Sequence, residues 1–138
     1  MLFRDPRPSS VAAVLARITT FCIDGLDSRP VAVEVDVRAG LPAFVIVGLG
    51  DLAVREARER VRGALLNSGF EFPQRRIVVN LAPAHLRKNG SGFDLPIACA
   101  VLAASGQVPA ASVARRAIHG ELSLTGEVRG CRGTLAVA

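Results

Sequence analysis

From Val31 to Val37 the chain alternates strictly. Val31, Val33, Val35 and Val37 fall on one face, Glu34 and Asp36 on the other. A period of two with one apolar side predicts a strand that buries one face and wets the other. Leu15–Ile23 (LARITTFCI) precedes it across the loop 24–30 and also reads as a strand. Ala43–Leu49 (AFVIVGL) follows a turn at Gly40-Leu41-Pro42, and its unbroken apolarity predicts a central strand. Beyond Asp51 the period becomes helical: Val54, Ala57, Val61, Ala64, Leu65 and Ser68 form one stripe. Arg55, Glu56, Arg58, Glu59, Arg60 and Arg62 mostly face away from it. Asp51 stands where an N-cap belongs, and Gly69 suits a left-handed stop. Arg76–Leu81 reads as a fourth strand, Phe93–Ser105 as a second helix ending at Gly106, and Ala117–Leu124 as a last strand.

The predicted order is βββαβαβ. Three strands before the first helix argue for an α+β fold, a mixed sheet with two main helices on one face. Residues 1–14 read as a loose leader and 15–138 as one domain. The final stretch is a building apolar run without a stop signal, which predicts a continuation past residue 138.

Composition narrows the function classes. The chain has 138 residues, half of them hydrophobic, which excludes disorder as its main state. The longest apolar run, Leu95–Ala104, is about half of the ~20 residues a membrane helix needs. Neither a membrane span nor a targeting segment is visible, so a cytoplasmic location is expected. Cys22, Cys99 and Cys131 include no C-x-x-C pair, and the first two fit core positions. His85 and His119 lack metal-ligand spacing, so no metal site is expected. The net charge is +5, and Lys88 is the one lysine among seventeen basic residues. An arginine-rich surface suits phosphate recognition, which is a mild argument by itself.

Several constellations carry candidate chemistry. Gly48, Gly50 and Ala53 match the local G-x-G-x-x-A dinucleotide fingerprint. Three strands precede it, however, and the following strand ends in Asn80-Leu81 rather than in an acid, so a tight strand-to-helix turn accounts for the glycines. Arg55–Glu59 and Glu56–Arg60 stand at i,i+4 and predict a solvated, internally paired helix face. Arg75, Arg76, Arg87 and Lys88 flank the fourth strand without nearby acids, and with the Asn89–Gly92 loop they form a candidate nucleic-acid phosphate contact. No P-loop pattern occurs. Ser91 would need a base to act as a nucleophile, and Lys88 sits in a polar loop expected to keep it solvated and charged. Ser91-Gly92-Phe93-Asp94 instead resembles a capping box; alternatively Asp94 itself caps the helix. Either cap would stabilise by roughly 1 kcal/mol.

The phrases EARERVRGAL, NSGFEFP, VNLAPAHLRK and FDLPIA, within a match from about Leu15 onward, resemble the N-terminal domain of the ComM/YifB family. These are bacterial magnesium-chelatase-like AAA+ ATPases. The resemblance implies a Lon-protease-like fold. It also implies a following AAA+ module that binds ATP and magnesium, assembles into homo-hexamers and, in ComM, drives branch migration on DNA. No cofactor is implied for these 138 residues. Asn89-Gly90-Ser91-Gly92-Phe93-Asp94 occupies the loop that holds the nucleophile in Lon-type proteases, but alignment places Gly92 at the serine position. Thr125-Gly126-Glu127 matches their TGE turn, and the lysine equivalent falls at or beyond Ala138. His85 replaces the family's Asp in LAPADL, and Gly50 replaces its Pro. The resemblance thus implies a non-catalytic accessory domain whose partners are its own AAA+ module and DNA. The alternatives are a Ser–Lys peptidase using Ser91 with Lys88 or a residue further on, and a metal-chelatase subunit.

Overall fold

A computed structural model describes residues 14–24, 27–86, 88 and 90–130. β1 (Val14–Asp24) and β2 (Asp27–Arg38) pair antiparallel along their whole lengths. β3 (Ala43–Val47) leads into α1 (Asp51–Asn67), and β4 (Arg76–Ala82) follows. β4 inserts between β2 and β3, antiparallel to the first and parallel to the second, so the sheet order is β1-β2-β4-β3. Then come α2 (Asp94–Ala104), the short α3 (Ala110–Ala114), and a hairpin of β5 (Glu121–Leu122) and β6 (Val128–Arg129). The mixed sheet with helices is the α+β arrangement expected, with α3 and β6 added to the predicted order.

The period-two pattern builds the core. Val31, Val33, Val35 and Val37 of β2 join Ile18 of β1 and Ile77, Val79 and Leu81 of β4 on one face, each at most 1% exposed. α2 packs against β1 and β2 on that face, while α1, with Ala57, Val61, Ala64 and Leu65 buried, packs against β3 and α2. α2 is buried nearly all round, which accounts for its unbroken apolarity. Cys22 is buried and Cys99 partly so, as the pattern implied. Among the described residues no helix is long and apolar enough to cross a membrane. The predicted leader, apart from Val14, and Cys131 lie outside the described residues.

Three expectations are corrected. β3 is an edge strand of the described sheet, not a central one. Phe44 and Ile46 enter the core, while Val45 is half-buried and Val47 is exposed. The apolar run reflects two core contacts plus an open face, and Arg58 donates a 3.3 Å hydrogen bond to the Phe44 carbonyl. A charged side chain at a strand edge discourages pairing with another chain. Second, Gly50 rather than Asp51 is the N-cap of α1, without a side-chain hydrogen bond. Asp51 still favours the positive end of the helix. Third, the strand expected over Ala117–Leu124 shrinks to a bridge between Thr19 and Ala117 plus the two-residue β5. Gly120 bonds elsewhere: its N–H donates to the Gly92 carbonyl, and its carbonyl accepts from the Leu95 N–H. Gly69, at φ +86°, ends α1 as predicted.

Candidate functional site

The described members of the predicted basic edge do not form one surface. Arg75 and Arg76 are both exposed at the entrance of β4, whereas Lys88 lies beyond its exit. Seven residues at about 3.3 Å each separate the two ends by roughly 20 Å. Arg38 stands opposite Arg76 in the antiparallel register and is itself paired with Asp36 at 2.7 Å. Two arginines facing each other across strands repel unless an anion lies between them. Arg87 lies outside the described residues.

Lys88 does not face solvent. It is 6% exposed, and its ammonium donates to the carbonyls of Pro83 at 2.7 Å and Leu86 at 2.8 Å. The loop after β4 folds back around the side chain, whose stem passes Gly48 at the end of β3. A Cβ on Gly48 would lie 2.7 Å from the Leu81 carbonyl and 3.3 Å from the Lys88 Cε. Gly48 is therefore needed for close packing and for its φ of +107°, while a Cβ on Gly50 would meet nothing within 4 Å. That is turn and packing chemistry, as expected of these glycines. Lys88 was expected in a wet loop beside the arginines; it is instead buried against two carbonyls at the other end of β4.

Ser91 and Asp94 are corrected as well. No side-chain hydrogen bond caps α2; Phe93 is its N-cap, and the Ser91 carbonyl accepts the Asp94 N–H at 3.2 Å. Asp94, 1% exposed, turns to α1 instead. Arg60 donates from Nε to Oδ2 at 2.6 Å and from an Nη to Oδ1 at 3.2 Å. The Leu122 amide donates to the same Oδ2 at 3.2 Å. One carboxylate thereby ties α1, α2 and β5 together. Burial pushes the Asp94 carboxyl up against the pull of Arg60 and the Leu122 amide, and the hydrogen bond to Asp94 raises Arg60. Those two directions disagree about the charge state. The geometry decides it: three donors converge on a group that must be ionised to accept all of them, so the pair is a salt bridge that bears a desolvation cost.

His119 is the remaining titratable group of note. Its Nδ1 lies 3.2 Å from the Thr20 hydroxyl, and its ring meets Phe93 edge-on at 6.2 Å. Burial lowers its pKa. Among the described residues no cluster of His, Cys, Asp and Glu is placed to hold a metal ion.

Residues 33–138 match the family described as ChlI, subunit ChlI of Mg-chelatase. The chain belongs to this family. It is 47% identical over 124 residues to the uncharacterized protein YifB of Salmonella typhimurium, covering 90% of this chain and 24% of that protein. It is 48% identical over 114 residues to YifB of Escherichia coli, covering 83% and 22%. It is 44% identical over 126 residues to the competence protein ComM of Haemophilus influenzae, covering 91% and 24%. The chain thus spans about a quarter of the length of these curated relatives.

Arg60, Arg38 and Gly48 escaped the sequence-based site. Arg60 had a local partner in Glu56, and that contact exists at 3.6 Å, but the shorter bonds go to Asp94. Two signals pointed inward. Asp94 opens a helix that is otherwise wholly apolar, and Lys88 is the only lysine in a chain that uses arginine elsewhere. An acid at the head of a buried helix needs a cation, and a carbonyl cage suits a compact ammonium better than a planar guanidinium.

Proposed function

We propose that this chain is a non-catalytic N-terminal domain of a ComM/YifB-like, magnesium-chelatase-like AAA+ ATPase. In that reading it supports ATP-driven DNA remodelling, such as branch migration, by the full-length homo-hexamer. The observation that carries the proposal is the family membership, together with the 44% identity to a competence protein. The carbonyl cage supports the non-catalytic part, because it engages the Lys88 ammonium that a Ser91–Lys88 peptidase would need.

The described residues do not fit an ATP–magnesium site. They include neither a P-loop nor a set of metal ligands. Nucleotide binding and hydrolysis therefore belong, in this reading, to the AAA+ part of the full-length protein, with this domain docked against it. The DNA contact narrows to Arg75 and Arg76, with Arg38 beside them across the sheet.

Filter binding of a DNA duplex to the chain over a range of salt tests that contact. In Arg75→Ala/Arg76→Ala the affinity is expected to drop and the slope of log K against log salt to shrink by about 2, roughly 0.9 per phosphate. An unchanged affinity and slope would remove DNA contact from this end of the sheet. For the full-length protein, DNA-stimulated ATP hydrolysis is expected to fall in the same variant, with basal hydrolysis retained.

A further inference from the structure

The cage around Lys88 leaves a charge without a counter-charge. Among the described residues no ion pair involves Lys88. Two carbonyl oxygens take two of its three N–H groups. Carbonyl dipoles offset only part of the cost of burying an ammonium, which is normally completed by an anion. The side chain lines a cleft of about 490 Å³ whose other walls are Gly48–Gly50, Ala53, Ala84 and Leu86.

The surroundings of this cleft add to the positive potential. β3 and β4 are the parallel pair, and the cleft opens beyond their carboxyl ends, between the turn at Gly48–Gly50 and the loop after Ala82. Crevices in that position of α/β sheets commonly hold ligands. α1 starts there with seventeen residues and an N-cap that makes no side-chain hydrogen bond. Its first-turn amides, at Asp51, Leu52 and Ala53, have no acceptor within the helix, since the first intrahelical bond runs from the Val54 N–H to the Gly50 carbonyl. The lining itself holds no acid; Asp51, at the start of α1, is exposed and is not part of it. Lys88, nine-tenths buried, is the charged group in the lining, and its position is independent of the helix end.

We propose that this cleft binds the phosphate group of a small phosphorylated molecule. One phosphate oxygen accepts the third N–H of Lys88, and the others face the amides of the α1 first turn. This is a second anion site, distinct from the arginines at the far end of β4, and it does not depend on the DNA contact proposed for them.

The test uses the whole 138-residue chain, ¹⁵N-labelled, with inorganic phosphate as the probe and chloride at matched ionic strength as the control. The expected result is saturable shifts of the Leu49, Leu52 and Ala53 amides with phosphate and none with chloride. Lys88→Met is expected to weaken that binding at least about tenfold. Because Lys88→Met leaves the Pro83 and Leu86 carbonyls without their shared donor and can compromise folding, Ala84→Glu provides an independent check. It leaves Lys88 in place but puts a carboxylate on the exposed rim of the cleft, and phosphate binding is expected to weaken by at least about tenfold there too. Shifts that drift linearly, that appear equally with chloride, that arise only at Arg75 and Arg76, or that persist undiminished in Ala84→Glu would overturn the proposal.

Discussion

Two glycines that look equivalent in the sequence stand in opposite situations. Gly48 has a φ of +107° and faces the Leu81 carbonyl so closely that a Cβ would sit 2.7 Å from it. Gly50 has an extended backbone at φ −69° and open space around it. Gly48→Ala is therefore expected to cost roughly 3 kcal/mol, combining a left-handed backbone with a clash against main chain that cannot yield easily. Gly50→Ala is expected to stay within about 0.5 kcal/mol of the parent. Urea-denaturation midpoints of the two variants check this. Equal midpoints would show that the close approach at Gly48 is relaxed in solution.

At the scale of elements, the charged side of α1 divides among distinct jobs. Arg58 reaches the edge of β3, Arg62 lies over the Phe72 ring at 4.9 Å, and Arg60 reaches α2. Only the last of these enters a buried network. Asp94→Ala leaves the Leu122 amide without its acceptor and sends Arg60 back toward water, which its one-quarter exposure permits. A loss of about 3 kcal/mol is expected, at the lower end of the range for breaking a buried pair. Glu56→Gln, on the exposed side of the same arginine, is expected to change stability by less than about 0.5 kcal/mol. Unfolding midpoints for the two variants and their double mutant would settle the ranking, and a larger effect from Glu56 would reverse it.

At the scale of the whole molecule, the chain after α3 is tied back to the sheet through Thr20 and His119. Burial holds the His119 pKa below its ordinary 6.5, so the unfolded chain takes up a proton before the folded one does. The contribution from His119 is complete above the unfolded value, and it is lost as the pH falls through 6.5 toward the folded pKa. Parent and His119→Gln stabilities are thus expected to differ by an amount that shrinks between pH 7.5 and the acid side of that window. Denaturation curves across about pH 5–7.5 measure it, and a constant difference would show that His119 titrates alike in both states.

The elements and the core face were legible because both follow from local periodicity. Alternating valines in β2 and the four buried α1 positions, Ala57, Val61, Ala64 and Leu65, identified which sides turn inward. Family membership was legible too, since long phrases such as VNLAPAHLRK and FDLPIA persist irrespective of how they pack. Tertiary structure alone decided the strand order, which put the apolar β3 at an edge because β4 paired on its inner side. It also decided the destinations of polar groups. Asp94 found Arg60 34 residues away, and Lys88 folded back onto the carbonyls of its own loop. Periodicity reports how deeply a position is buried, not which partner satisfies a charge once it is there. Arg75-Arg76 and Lys88 look adjacent to one strand in the sequence, and an extended backbone of seven residues carries them to opposite ends of the sheet.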